Sequence, residues 1–335
     1  MATRWGICSA GRISHDFLVA LKTLPAEEHQ VVAIAARDLA RAQEYAQKHG
    51  IPRAYGSYEE LARDPHVDVV YVGVIHPEHL PVGRLFLGAG KPVLLEKPLG
   101  MDAAEVRELA QVARTHGVFL MEAFWTRFFP LSEQIRQLLA QGALGEVTLL
   151  RAAVGHPMEN IPRLVEKKLG GGAILDIGCY CIQLASMVFG GEKPESIVAS
   201  GFLYPSGVDE TTSVILNYAG KRQAVFSCTM RLEIPSQAVL CGTEGCIEVP
   251  SPFYAPTTMI VKGQRRDCPL PPPSQPLNFS NGTGMRYEAQ HVRECLLRGL
   301  KESPVMSLAD SELVASIMDE IRRQLGVTYS ADRQG

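Results

Sequence analysis

Over the first 121 residues, short apolar runs at 5–9, 31–36, 67–74, 92–95 and 118–121 alternate with stretches of helical spacing, such as 39–48 and 103–115. Runs that are apolar at every position predict strands covered on both faces, and helices between them predict a parallel sheet. Right-handed crossovers make such a unit doubly wound, with ligands held at the carboxyl ends of its strands.

After that the rhythm changes. Strand-like runs at 146–154, 196–203, 211–218, 223–230 and 238–240 succeed one another, and the proline-rich stretch 269–276 reads as a loop. Two amphipathic helices close the chain. One carries Met285, Ala289, Val292 and Leu296 on a single stripe, the other Leu313, Ile317, Met318, Ile321 and Leu325. With 335 residues the chain is long enough for two domains, placed at 1–122 and 123–335.

The net charge of −3 gives no electrostatic reason to expect nucleic acid or an anionic membrane as partner. No run approaches the roughly 18 uninterrupted apolar residues of a membrane span. Trp5-Gly6-Ile7-Cys8 already reads as strand, leaving no room for a secretory leader, and the expected location is the cytoplasm. Eight cysteines form no C-x-x-C pair and no zinc spacing with histidine, so they are read as reduced thiols. The sequons at Asn278 and Asn281 are read as coincidental.

The chemistry starts at the first strand-to-helix turn. Gly6-Ile7-Cys8-Ser9-Ala10-Gly11 has the G-x-G-x-x-G spacing, with Cys8 where the middle glycine stands. Gly6 is expected to permit the tight turn, and Gly11 to let helix and strand pack closely. Gly6, Cys8, Ser9, Gly11, Arg12 and Ile13 are taken as the pyrophosphate site, because a helix N-terminus offers free N–H groups and positive dipole. A turn that merely contains glycines is the bland alternative. At the end of the second run, Arg37 and Arg41 can clamp a ribose 2′-phosphate, whereas Asp38 can hold a 2′-hydroxyl or simply cap the next helix. The pair of arginines favours NADP over NAD.

Glu96-Lys97-Pro98 puts a lysine directly after an apolar strand, where a nicotinamide would lie. His76 and His79 follow the third run. Their H-x-x-H spacing lacks a third ligand, so no metal is expected. Tyr71 on that run either lines the cofactor site or is a core tyrosine. Further on, Asp176 and Tyr180 stand four apart in an apolar stretch after Gly170-Gly171-Gly172, so a helix projects them from one face. A buried tyrosine bonded to a structural aspartate explains the same pair.

Together the glycine turn, Glu96-Lys97-Pro98 and the Asp176-to-Tyr180 stretch resemble the Gfo/Idh/MocA oxidoreductases. The stretches 35–39, 54–61, 121–130 and 291–296 extend that resemblance over nearly the whole chain. It implies an N-terminal Rossmann-type domain and a C-terminal α+β domain on an open, mostly antiparallel sheet. It also implies a homodimer pairing the open faces. The implied activity is oxidation of trans-dihydrodiols and of pyranose sugars such as D-xylose. Many members have histidine where this chain has Tyr180; those with tyrosine use it as the proton acceptor. A free phenol titrates near pH 10, and a Lys97 ammonium ~4 Å away at an effective dielectric of ~20 is worth roughly 4 kcal/mol, or about three pKa units. Asp176 would orient the substrate hydroxyl or hold the tyrosine, Lys97 would contact the cofactor and substrate oxygen, His76, His79 and Glu96 the cofactor, and Trp125 and Arg127 would wall the substrate cleft. Two alternatives remain: an NAD(P)-dependent dehydrogenase of another sugar or cyclitol, and a non-catalytic dinucleotide sensor on the same fold.

Overall fold

The computed structural model describes residues 1–330, which fall into two compact units. The first holds Met1–Gly100, Ala104–Trp125 and Leu270–Leu308; the second holds Met101–Ala103, Thr126–Pro269 and, of the described residues, 309–330. Residues 270–308, which the pattern of runs placed with the second domain, thus pack with the first.

The first unit opens β1 (Thr3–Cys8), α1 (Arg12–Leu21), β2 (His29–Ala35), α2 (Leu39–His49), β3 (Arg53–Tyr55), α3 (Tyr58–Arg63) and β4 (Val69–Val72). It continues through α4 (His79–Gly88), β5 (Val93–Glu96), α5 (Ala103–His116) and β6 (Leu120–Ala123). The six strands form one parallel sheet in the order β3-β2-β1-β4-β5-β6. Every residue of β4, β5 and β6 is buried, as strands covered on both faces require. Chain order reverses between β1 and β4, which opens a crevice at their carboxyl ends, the site where this topology takes up dinucleotides. Helix starts are written in the sequence. The Asp38 side chain caps α2 by accepting from Arg41 N at 3.1 Å, and Ser57 caps α3 by accepting from Glu60 N at 3.3 Å.

The second unit contains α6 (Pro130–Ala140), β7 (Val147–Gly155), α7 (Pro162–Val165), α8 (Cys179–Val188), β8 (Ser196–Leu203), β9 (Asp209–Tyr218) and β10 (Arg222–Thr229). Four short strands follow: β11 (Ala238–Gly242), β12 (Gly245–Val249), β13 (Thr258–Val261) and β14 (Gln264–Asp267). These strands form an open eight-stranded sheet, ordered β14-β13-β12-β11-β7-β10-β9-β8. Only the β7–β10 pairing is parallel; the others are antiparallel. At the β8 edge Val198, Phe202 and Leu203 stand exposed. The stretch 167–188, which ends in α8, is long and apolar enough to cross a membrane, yet 89% of its 18-residue apolar window is buried by protein, which makes it part of the core; among the described residues no other helix qualifies.

The chain closes with α9 (Met285–Leu297), packed in the first unit against α1, and α10 (Leu308–Leu325), nearly all of it in the second. Met285, Ala289 and Val292 are buried on the first, Ile317, Met318 and Ile321 on the second. The two stripes therefore serve two different cores.

Candidate active site

The glycine turn of the first unit lies three residues later than its spacing suggested. Gly6 and Cys8 are inside β1, paired with Ala33 and Ala35 of β2, and the turn itself is Ser9-Ala10-Gly11. Gly6 serves packing: a Cβ there would lie 2.9 Å from Val67 and 3.1 Å from Leu61. Cys8 is a fully buried core thiol, pushed well up by burial. The glycine-like backbone belongs to Ser9, whose φ of 92° is in the left-handed region. Gly11 is the N-cap of α1 and makes no side-chain cap, so the helix N-terminus keeps its amides for an anion. Close approach of α1 to the sheet depends on a glycine outside the fingerprint: a Cβ at Gly73, just beyond β4, would sit 2.8 Å from Ser14 Oγ and 3.1 Å from Ile13.

Around this turn, Arg12 is exposed and its Nε donates to Asn278 Oδ1 at 3.3 Å, with its guanidinium 5.5 Å from the Phe279 ring centre. Asp16 accepts from the backbone N of Asn278 and of Phe279, at 2.9 and 2.8 Å, and the Asn278 amide donates to Asp16 and to Arg12 O. This accounts for Asn278 as a structural amide. Arg37 is exposed, and Arg41 donates to Ala10 O at 3.1 Å, so both arginines stand at the end of β2 next to the turn. Asp38 is engaged in capping α2.

Tyr71 is a core residue. It is fully buried, its ring lies 3.8 Å and 4° from that of Phe17, and its hydroxyl donates to Glu96 Oε1 at 2.6 Å. Glu96 therefore works inward, and with Glu288 of α9 beside it, burial and mutual repulsion push the Glu288 carboxyl well up. Lys97, half-buried, follows at the carboxyl end of β5, the edge where the crevice opens. Two peptide units, one on each side of the Lys97–Pro98 bond, are held by buried side chains. Lys97 N donates to Glu96 Oε2 at 3.3 Å, Pro98 O accepts from His79 Nδ1 at 2.6 Å, and Leu99 N donates to Glu122 Oε1 at 2.8 Å. His79 Nε2 lies 3.1 Å from Val74 O. Two carbonyls would favour the imidazolium, but burial wins and lowers the pKa to about 4, leaving a neutral ring that donates on its shorter side. His79 thus braces the lysine turn, and His76 packs edge-on against it at 5.7 Å. Among the described residues no cluster of histidine, cysteine and carboxylate suited to a metal occurs. Trp125, at the end of this unit, is 8% exposed.

In the second unit the glycine run feeds a π-helical turn, Ile174–Gly178, that leads straight into α8. The run is needed because the buried Asp209 carboxylate caps this turn, accepting from Ile174 N at 2.7 Å. A Cβ at Gly172, whose φ is 122°, would lie 2.5 Å from its Oδ1. Asp176 projects from the π turn and accepts from Arg163 of α7 at 3.0 Å. Tyr180, 9% exposed, stands one turn on, with its ring stacked on that of Tyr254 at 5.2 Å and 28°. The Tyr254 hydroxyl meets His156 Nε2 at 3.1 Å, and His156 Nδ1 meets Glu233 Oε2 at 3.0 Å. Arg163, Tyr254, His156 and Asp209 were not singled out from sequence, being isolated polar residues in separate stretches. Arg127 needs correction as a cleft wall. It is 3% exposed, and its guanidinium is bound to Gln183 at 3.1 Å and paired with Asp310 at 3.2 Å, which ties α8 to α10.

Residues 3–124 match the model of the oxidoreductase family with an NAD-binding Rossmann fold, and residues 132–248 match the GFO/IDH/MocA C-terminal domain. The chain belongs to the Gfo/Idh/MocA oxidoreductase family. It is 63% identical to trans-1,2-dihydrobenzene-1,2-diol dehydrogenase of Xenopus tropicalis, over 98% of this chain and 100% of that one. It is 53% identical to the Homo sapiens protein of the same name, over 100% of both. Among solved structures, an aldose-aldose oxidoreductase of Caulobacter crescentus shares the fold with a TM-score of 0.84 at 20% identity, covering 97% of this chain and 98% of that one. A 3-ketoreductase of Actinomadura kijaniata, in complex with NADP, gives 0.80 at 25% identity over the same shares. As a member of this family the chain is an NAD(P)-dependent oxidoreductase.

Proposed function

We propose that this enzyme oxidises a secondary alcohol of trans-1,2-dihydrobenzene-1,2-diol and of pyranose sugars such as D-xylose, with NADP as the cofactor and Tyr180 as the proton acceptor. The observation that carries the reading is the buried helix of the second unit, which presents Tyr180 one turn from an arginine-paired Asp176. The names of the relatives give the substrate class.

The first unit fits a dinucleotide. The uncapped N-terminus of α1 suits a pyrophosphate, and Gly11 and Gly73 leave the backbone bare beside it. Asp38 is occupied as a helix cap, which leaves Arg37 and Arg41 as the groups facing the ribose end and supports NADP over NAD. When bound, the nicotinamide supplies hydride acceptance. Lys97, its backbone fixed by three hydrogen bonds on the two peptide units that flank the Lys97–Pro98 bond, holds a cation at the edge of the crevice to orient polar groups of cofactor and substrate. Tyr180 takes the hydroxyl proton, and Asp176, paired with Arg163, accepts a hydrogen bond from the substrate hydroxyl. All eight cysteines are free thiols, which fits a cytoplasmic enzyme, and the exposed apolar edge at Phe202 fits a homodimer.

Absorbance of the reduced nicotinamide tests the proposal, with NADP or NAD and a panel of trans-dihydrobenzenediol, D-xylose, D-glucose and myo-inositol. Turnover of the first two with NADP is expected. Cofactor binding without turnover of any panel member would overturn the assigned activity and favour a sensing role.

A further inference from the structure

Two of the eight cysteines face one another across a hairpin. Cys241 of β11 pairs directly with Cys246 of β12, and the two-residue turn Thr243-Glu244 closes the hairpin through Gly242 and Gly245. In such a hairpin the closing pair exchanges the hydrogen bonds and the next pair does not. The sheet bears this out: Cys246 O accepts from Lys262 N beyond β12, so its peptide groups point away from β11. A pair without hydrogen bonds between its residues brings the Cα atoms to about 4.5 Å, inside the range of about 4.4–6.8 Å that a disulfide spans without moving backbone.

Their surroundings set them apart from the other thiols. Cys8, Cys179, Cys181, Cys228 and Cys295 are buried, and Cys268 is partly exposed. Cys241 and Cys246 are partly exposed and share the sheet face of Arg151 and Glu248, both exposed, while Leu240 and Ile247 point into the core. The hairpin tip is docked firmly, with Thr243 N donating to Glu146 O at 3.0 Å and Glu244 N to Leu144 O at 2.9 Å, so the two sulfurs are presented in a fixed register.

We propose that Cys241 and Cys246 form an oxidation site, a dithiol that small peroxides convert into a cross-strand disulfide. Either sulfur can open the reaction, and with Cys246 first the bonds change in this order. Cys246 sulfur attacks the peroxide, forming an S–O bond as the O–O bond breaks and one water leaves. Cys241 sulfur then attacks that sulfur; the S–S bond forms, the S–O bond breaks, and the Cys241 proton leaves with the departing hydroxide as a second water. The sulfurs lose two electrons, and the peroxide gains them. A dithiol reductant reverses the reaction.

The test uses the full chain treated with one equivalent of hydrogen peroxide, alkylated and digested with trypsin, so that both sulfurs fall in the peptide of residues 232–262. The expected result is a peptide about 2 Da lighter that takes up no alkylating agent, and that takes up two after treatment with dithiothreitol. The Cys241→Ser variant is expected to show no such mass loss. Two alkylated cysteines in this peptide while Cys268 is oxidised would overturn the proposal. So would a disulfide from either cysteine to Cys268 or to a second chain.

Discussion

Asp209 reaches the start of the helix that carries Tyr180, where its carboxylate accepts a 2.7 Å hydrogen bond from Ile174 N. The carboxyl is completely buried, and desolvation raises its pKa from 3.8 to about 6. A raised folded-state pKa contributes stability that is full below the unfolded value and lost as pH rises through about 6. The cost of holding this charge at neutral pH is on the order of 3 kcal/mol. Asp209→Asn keeps an acceptor for Ile174 and removes the charge. Thermal melts of the variant and the native protein are expected to converge or cross in favour of the variant between pH 5 and pH 7.5. Parallel curves over that range would show that Asp209 does not titrate there.

Ser9 holds a left-handed backbone, with φ at 92°, where glycine is at no disadvantage. Ser9→Gly is therefore expected to stabilise the first unit by about 1 kcal/mol, read as a higher midpoint in urea. It is also expected to leave NADP affinity intact. A lower midpoint would mean the serine hydroxyl contributes more than the backbone loses.

Arg37 and Arg41 stand beside the turn, and Asp38 is occupied. Replacing Arg37 by alanine is expected to weaken NADP by roughly 10-fold or more, in line with the loss of a charge-assisted contact, with little change for NAD. Titration of both cofactors by fluorescence checks this. Equal losses would place the 2′-phosphate elsewhere.

Arg163 holds Asp176 in a 3.0 Å pair that is largely shielded on the aspartate side. For Arg163→Met the expected change is a rise in substrate KM of about 10-fold, with cofactor affinity unaltered because α7 belongs to the second unit. If the cofactor constant rose instead, Arg163 would have a role in the nucleotide site.

Much of this was legible in the chain. The unbroken apolar runs of β4 and β5 could belong only to strands covered on both sides, and the six-stranded sheet confirms the parallel unit. The open, mostly antiparallel second sheet also appears, but β12, β13 and β14 escaped notice. They are four or five residues long, and β14 is Gln-Arg-Arg-Asp, with no apolar face to betray it. The glycine spacing misled by three residues because Gly6 packs under Val67 inside a strand, while the residue in the left-handed turn is a serine. Arg127 looked like a cleft residue because it lies just past the fifth apolar run, at the end of the sheet where ligands bind; its partners Gln183 and Asp310 lie 56 and 183 positions away, beyond the reach of local pattern. Asp176 and Tyr180 were visible as polar residues in an apolar helix. Arg163, Tyr254 and His156, which surround them, come from a short helix and two separate loops and are assembled only by the fold.

The central claim, that Tyr180 takes the substrate proton, is tested most directly by the steady-state rate of Tyr180→Phe with NADP and trans-dihydrobenzenediol. The substitution removes one hydroxyl and keeps the ring stacked on Tyr254. A fall in kcat of about 100-fold or more is expected, the scale of a lost general base, with NADP affinity unchanged. A variant that turns over at close to the native rate would contradict the account and require another proton acceptor.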